Sequence, residues 1–290
     1  MSHKILSIHY LSFFIIVCLI SPACSSGTPG IACSEWNLKI TNGLTIDQSW
    51  NEIYISRSTS QKDPNGRNAS DIYLLTHDGT SFSSPTLAPF SDPRFIDYHP
   101  VFSVDNQQLF FISWRPIPGS DEGLAYGNIW YVERQGEQWS QPIYLDIINQ
   151  AGHDSYPSLT RDGTLYFNSD RPGGEGGMDI YRSKLENGRY TTPINVASLN
   201  SADSENDLFI DPDERFMIFN RYYPSNGQMD MLISFHESDK WSAPQKLDLI
   251  NQPDVYELTP TISPDGKLFF YELNGKVQCI PIKDLLAGIR

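Results

Sequence analysis

An acidic residue recurs at one fixed place in four segments of this 290-residue chain: Asp97, Asp154, Glu205 and Glu257. Each stands three residues ahead of the Pro, or a Leu in its place, that opens an apolar strand, as in Asp154-Ser155-Tyr156-Pro157. Thr41 holds that place in the first segment, and Asp203, Asp207, His99 and His153 lie within a few residues of the four acids. Carboxylates gathered around one point raise one another's pKa and attract a cation, and calcium suits such oxygen donors. A pair of them, helped by His99 or His153, could instead transfer protons on a glycan or a small ester. Separations of about 5–5.5 Å or about 6.5–9.5 Å would be diagnostic of glycoside hydrolysis. The third use is structural. Arg57, Arg115, Arg171 and Arg221 recur downstream of the acids, and ion pairs between them would act as clamps joining the repeats.

Other chemistry is sparse. The sequence has no Gly-x-Ser-x-Gly, His-Glu-x-x-His, Walker loop or Cys-x-x-Cys. Asp203-Ser204-Glu205-Asn206-Asp207 alternates carboxylates but lacks the Gly and terminal Glu of an EF-hand loop. No cofactor is therefore expected, with calcium as the alternative. Gly173, Gly174, Gly176 and Gly177 join two strands and lead to no helix, so they read as a compact loop rather than a phosphate cradle.

The elements that must position these residues are strands. An apolar triplet recurs as Ile53-Tyr54-Ile55, Leu109-Phe110-Phe111, Leu165-Tyr166-Phe167, Phe216-Met217-Ile218 and Leu268-Phe269-Phe270, at spacings of 51 to 56 residues. Tight turns precede four of them: Asp105-Asn106, Asp162-Gly163, Asp213-Glu214 and Asp265-Gly266. A further strand follows each triplet. A fourth follows in four units, starting at an aromatic residue with Pro three positions on, as in Trp139/Pro142. Four antiparallel strands per unit of roughly 50 residues define a propeller blade. Residues 36–290 are thus expected to form one all-β domain of five blades, the alternative being six with one degenerate. The fifth unit lacks its own outer strand, and the segment around Leu38 and Ile40 is placed to supply it and close the ring.

Tyr156-Pro157-Ser158-Leu159-Thr160-Arg161-Asp162-Gly163-Thr164-Leu165-Tyr166-Phe167-Asn168-Ser169-Asp170-Arg171-Pro172-Gly173-Gly174 resembles the PD40 (WD40-like) repeat of TolB-type β-propellers. Thr259-Pro260-Thr261-Ile262-Ser263-Pro264-Asp265-Gly266 and His99-Pro100-Val101-Phe102-Ser103 repeat it more loosely, and the resemblance spans about residues 40–280. Leu208 and Leu44 replace the Pro in units four and one, and unit five lacks the Ser-x-Arg ending. The resemblance implies a non-catalytic propeller that binds a protein or peptide partner at the bacterial cell envelope. The alternative is a carbohydrate- or ester-active hydrolase or lyase using the carboxylates and histidines at the channel mouth.

In such a ring the loops joining second to third strands share a face with the entry to the innermost strands. These loops run from seven to 13 residues, against tight hairpins on the opposite face. A ligand site is therefore expected on the entry face, and none on the hairpin face. Asp71, Asn128, Asp179 and Asp230 begin the third strands and read as caps on loop amides, while Trp114 and Tyr222-Tyr223 stand at loop entrances.

Thirty-five acids against 21 bases, a net charge of −14, argue against nucleic acid as a partner. Residues 1–23 have the layout of an export signal: Lys4, the apolar run Leu11–Ile20, then small residues. Cys24 follows directly and resembles the lipidated Cys of a bacterial lipoprotein, so the chain meets a membrane only through that anchor. Residues 24–35 read as a tether. With plain secretion Cys24 would instead pair with Cys33, and Cys279 reads as a buried thiol. An extracytoplasmic monomer is expected.

Overall fold

The computed structural model describes residues 31–63, 66–78, 80–120, 126–150, 152–287 and 289. The expected export signal, residues 1–23, and Cys24 lie outside the described residues. Residues 31–290 form one unit, a ring of five small antiparallel sheets.

Blade one is built from Leu44–Ile46, Glu52–Lys62, Asn68–Thr76 and Thr86–Leu87. Blade two uses Asp97–Phe102, Gln108–Ser113 and Asn128–Gln135, with Ile143–Tyr144 outermost. Blade three uses Asp154–Leu159, Leu165–Ser169, Asp179–Ser183 and Ile194–Asn195. Blade four uses Ser204–Ile210, Phe216–Tyr223, Gln228–Glu237 and Gln245–Lys246. Blade five contributes Glu257–Ile262, Leu268–Leu273 and Lys276–Pro281.

The outer strands begin just after the repeated Pro, not at the aromatic residue before it. Trp139 and Trp241 instead pair with the end of the third strand, and the Pro sits between the two short pieces. A ring that lacks an N–H breaks the ladder at that point.

Alternation along each second strand explains the apolar repeat. In blade two Leu109 and Phe111 face the blade-one interface, while Phe110 faces blade three. In blade four Met217 and Phe219 face blade three, while Phe216 and Ile218 face blade five. Successive side chains on a strand point to opposite faces, so a second strand packed on both sides must be apolar throughout. The result is five core clusters, one per blade junction. Phe111, Phe167 and Phe219 are fully buried, contributing roughly 1.5–3 kcal/mol each.

The ring closes as the sequence implies. Lys39 bridges antiparallel to Lys276, and Ile40 N–H and Leu38 C=O bond to Gly275 and Val277 of blade five. Arg57 Nε donates to Lys39 C=O at 3.0 Å, holding this closing segment. Two expectations fail here. Cys33 bonds to Cys279, not to Cys24, and Cys279 is no free thiol. The end of the tether is also packed: Ile31 is buried and Cys33–Glu35 forms a 3-10 turn. The closing segment crosses the last blade with its start beside the third strand, which brings residues 246 apart within bonding reach.

Candidate functional site

Three of the four repeated acids are held by arginine. Arg115 Nη2 lies 2.8 Å from Asp97 Oδ2, Arg171 Nη2 2.6 Å from Asp154 Oδ1, and Arg221 Nε 2.7 Å from Glu205 Oε1. All three acids are fully buried. Each guanidinium also donates to a carbonyl of the segment entering its blade, Phe90, Ile148 or Leu199. Aromatic rings lie beside it, Phe167 and Tyr181 at 4.9 and 5.0 Å from Arg171. The acid pairs opposite the end of the second strand, as in Asp97↔Ser113 and Glu205↔Arg221, which brings the Arg to it. These clamps therefore join parts of one blade, whereas the spacing had suggested links between blades. Among the described residues no arginine bonds to Glu257. Its Oε1 accepts from Gln252 N–H at 3.2 Å. Burial pushes Asp97, Asp154, Glu205 and Glu257 upward, and in the first three the arginine acts against that rise.

Links between blades come from residues the sequence pattern did not single out. Ser56 Oγ accepts from His99 N–H, Asn168 Nδ2 donates to Glu205 C=O, Asn220 Nδ2 to Glu257 C=O, and Glu272 Oε2 accepts from Asn42 N–H. Each sits on a second strand; the first three reach the first strand of the next blade, and Glu272 reaches the residues just ahead of the first strand of blade one. A second overlooked set is Asn149, Asn200 and Asn251, whose side chains bond both N–H and C=O of Ile129, Ile180 and Met231. The signal was legible: an apolar residue followed by Asn stands at the same place in three repeats.

The remaining sequence-derived residues scatter. His153 N–H donates to Asp170 Oδ1 at 2.7 Å and its ring lies 6.2 Å from Tyr126. Asp203 C=O accepts from Gly177 N–H, which packs the glycine loop against blade four. Asp179 does cap that loop, accepting from Glu175 and Gly176 N–H, whereas Asp230 pairs with Lys246. Arg67 covers the Trp114 ring at 3.9 Å. Among the described residues no three His, Cys, Asp or Glu side chains gather as a metal site requires.

His99 and Asp207 belong to a different feature. The residue before the repeated Pro or Leu is left-handed in every blade: His99 at φ 55°, Tyr156 at 52°, Asp207 at 47°, Thr259 at 51°, with Gly43 at 135° in blade one. Register shifts in the first strands at these points mark bulges. For Tyr and β-branched Thr this backbone is costly, about 1–3 kcal/mol each, and such strain gathers at functional sites.

A cavity of about 240 Å³ runs along the axis from this ring. His99, Thr259 and Gly43 line its inner end, Val101, Phe209 and Thr261 its wall, and the turn residues Asn106, Asp213 and Gly266 its rim. It thus opens on the hairpin face, where no pocket was expected, while on the entry face that the loop lengths had favoured a depression of about 400 Å³ lies between Gln228, Asp230, Asn251 and Tyr256. Hairpins too short to form a pocket individually surround one collectively, because five of them circle the axis. Asp207, on the bulge of blade four, accepts at Oδ2 from Thr259 N–H at 3.2 Å and from Asn220 Nδ2 at 3.3 Å. Burial drives its carboxyl up to about 7, with the Glu272 charge adding to the rise. Burial alone drives the His99 imidazole down to about 3, so it is neutral at pH 7.

This is a five-bladed β-propeller. A protein assigned as TolB from Agrobacterium tumefaciens shares the fold at a TM-score of 0.52 and 12% identity, over 84% of this chain and 78% of that one. An endo-arabinase from Bacteroides thetaiotaomicron does so at 0.56 and 11%, over 85% and 94%. A gluconolactonase from Xanthomonas campestris does so at 0.53 and 13%, over 83% and 71%. At these identities the likeness establishes the fold alone. No family model matches the sequence, and no curated protein matches it.

Proposed function

We propose that this chain is an extracytoplasmic PD40-type, TolB-like propeller that binds a protein or peptide partner through its axial cavity, on the hairpin face. The observation that carries the reading is a cavity whose inner end is strained, polar and buried, reached through walls of mixed apolar and hydroxyl character. About 240 Å³ lies below the 300–1,000 Å³ usual for drug-sized ligands. That space suits one side chain or one chain end of a larger partner whose body rests on the rim. The acid–arginine pairs support binding over catalysis, since a carboxylate fully buried and bonded to Arg is poorly placed to exchange a proton with substrate. Cys33–Cys279 is a bond of the kind kept in oxidising compartments, which supports export by residues 1–23.

The test is selection from a displayed random-peptide library. Binders to the wild-type protein should lose at least tenfold in affinity against Val101→Trp, which fills the cavity wall. Selected peptides that bind both proteins equally would overturn the axial site.

A further inference from the structure

Two neighbouring junctions on the entry face are built from the same parts and close differently. Between blades three and four the glycine loop lies directly on the segment entering blade four. Gly177 N–H donates to Asp203 C=O at 2.7 Å, Glu205 N–H to Met178 C=O at 2.7 Å, and Met178 N–H to Ser204 Oγ at 3.0 Å. A Cβ on Gly176 would collide with the Asp203 carbonyl, so glycine is what lets the two backbones touch. Between blades four and five the loop reads Pro224-Ser225-Asn226-Gly227-Gln228. The entering segment puts five residues between Asn251 and Glu257 where four separate Asn200 from Glu205, and Tyr256 takes the place of Ser204. Among the described residues no backbone hydrogen bond joins residues 224–230 to 251–256. Tyr256 OH reaches across instead and donates to Gly227 C=O at 2.7 Å. The junction is thus held open, and its cleft of about 400 Å³ falls within the 300–1,000 Å³ usual for small ligands.

The lining sets the chemistry. Gln228, Asp230, Lys246, Asp248, Gln252 and Tyr256 all border this one space. Lys246 Nζ lies 2.6 Å from Asp230 Oδ2 and 5.5 Å from the centre of the Tyr223 ring, so its charge is matched within the site. Amide and ammonium donors stand among carboxylate acceptors, a mixture that a hydroxyl group satisfies because it donates and accepts at once. The Tyr256 ring is 45% exposed although its hydroxyl is tied to backbone, so it offers a fixed apolar face beside these polar groups. A ligand with hydroxyls around its edge and C–H groups on its face complements both, and that is a sugar ring.

We propose that this cleft binds a neutral saccharide, one sugar ring lying against Tyr256 with its hydroxyls bonded to Gln228, Gln252 and the Asp230–Lys246 pair. The site is separate from the axial cavity, which opens on the opposite face, and does not depend on the peptide-binding reading.

The probe is a printed array of neutral oligosaccharides spanning hexoses, pentoses and N-acetylhexosamines, exposed to the full mature protein. The glycans retained should share one sugar. Titration calorimetry with a retained oligosaccharide should give an affinity at least tenfold weaker for Tyr256→Ala. Tyr256→Phe keeps the ring and should bind within about threefold of wild type, and Leu249→Ala, 63% exposed and outside the cleft, should bind as wild type does. Gln252→Ala should weaken binding as well and tests the cleft if Tyr256→Ala fails to fold. An array that retains no glycan would overturn the proposal, as would undiminished binding by Tyr256→Ala or Gln252→Ala, or a loss in Tyr256→Phe as large as in Tyr256→Ala. Retention abolished by salt would show charged recognition and overturn the neutral ligand. Glycan binding lost in Val101→Trp would place it in the axial cavity and overturn the cleft. Library peptides weakened by Tyr256→Ala, with no glycan retained, would overturn it in favour of a peptide site. The axial peptide reading stands or falls separately, on Val101→Trp and the selected peptides.

Discussion

Asp207→Asn should reverse a pH-dependent instability built into the centre of the ring. The carboxyl is 3% exposed and titrates near 7 instead of the ordinary 3.8, chiefly because burial disfavours its charge. Below about pH 4 the group is protonated in both folded and unfolded chains, and it costs nothing. As pH rises from 4 to 7 the unfolded chain releases this proton while the folded chain retains it, so stability falls. Above 7 both are ionised and the folded state carries the whole penalty. At 1.36 kcal/mol per pH unit, a rise of about three units is on the order of 4 kcal/mol. Glu272, also raised by burial, is present in both proteins, while Tyr98 and Tyr156 are raised and His99 is held neutral, so none of these three changes charge between pH 4 and 8. Asn preserves the bonds to Thr259 and Asn220 in shape, though its N–H₂ must turn toward an acceptor. Urea unfolding at half-unit steps from pH 4 to 8 measures the effect. The stability of Asp207→Asn relative to wild type should grow by about 4 kcal/mol across that range. A difference independent of pH would refute the buried, unpaired carboxylate.

Replacing Arg171 by Leu should leave Asp154 buried without its partner and cost about 3–5 kcal/mol, and the double variant with Asp154→Leu should recover much of it. Urea midpoints for the two variants check this, and equal losses in both would discount the clamp. Cys279→Ser removes a bond spanning 246 residues and should cost about 2–5 kcal/mol. Wild-type protein under reductant should melt like that variant, and a melt insensitive to both would discount the closure. Cys24→Ser should release the protein from membranes in cell fractionation. Unchanged partition, with no diacylglyceryl mass on the wild type, would favour plain secretion.

The blades are legible in the chain because their causes are local. A second strand packed between two neighbours must be apolar on both faces, so triplets such as Leu109-Phe110-Phe111 recur wherever a blade does. Tight turns and the Pro of the outer strand fix the boundaries, and the missing outer strand of unit five identifies its replacement near Lys39. The shared register of acid and arginine likewise foretold the pairs at Asp97, Asp154 and Glu205, because strand pairing carries register from sequence into space. Partnership beyond the strand ladder is another matter. Nothing in the spacing of Cys33 and Cys279 brings them together, since their closeness is a property of the closed ring. Whether an arginine clamps within a blade or across a junction turns on side-chain direction, and Glu257 shows the same acid position with no arginine partner among the described residues. The axial cavity was hidden for a related reason. Hairpins judged one at a time enclose nothing, and only five arranged about one axis, with His99 and Thr259 of the bulges at the inner end, make a floor and a wall. Sequence determines the repeating unit because its forces act within a few residues and one neighbour, whereas the site arises from the symmetry that the closed ring imposes.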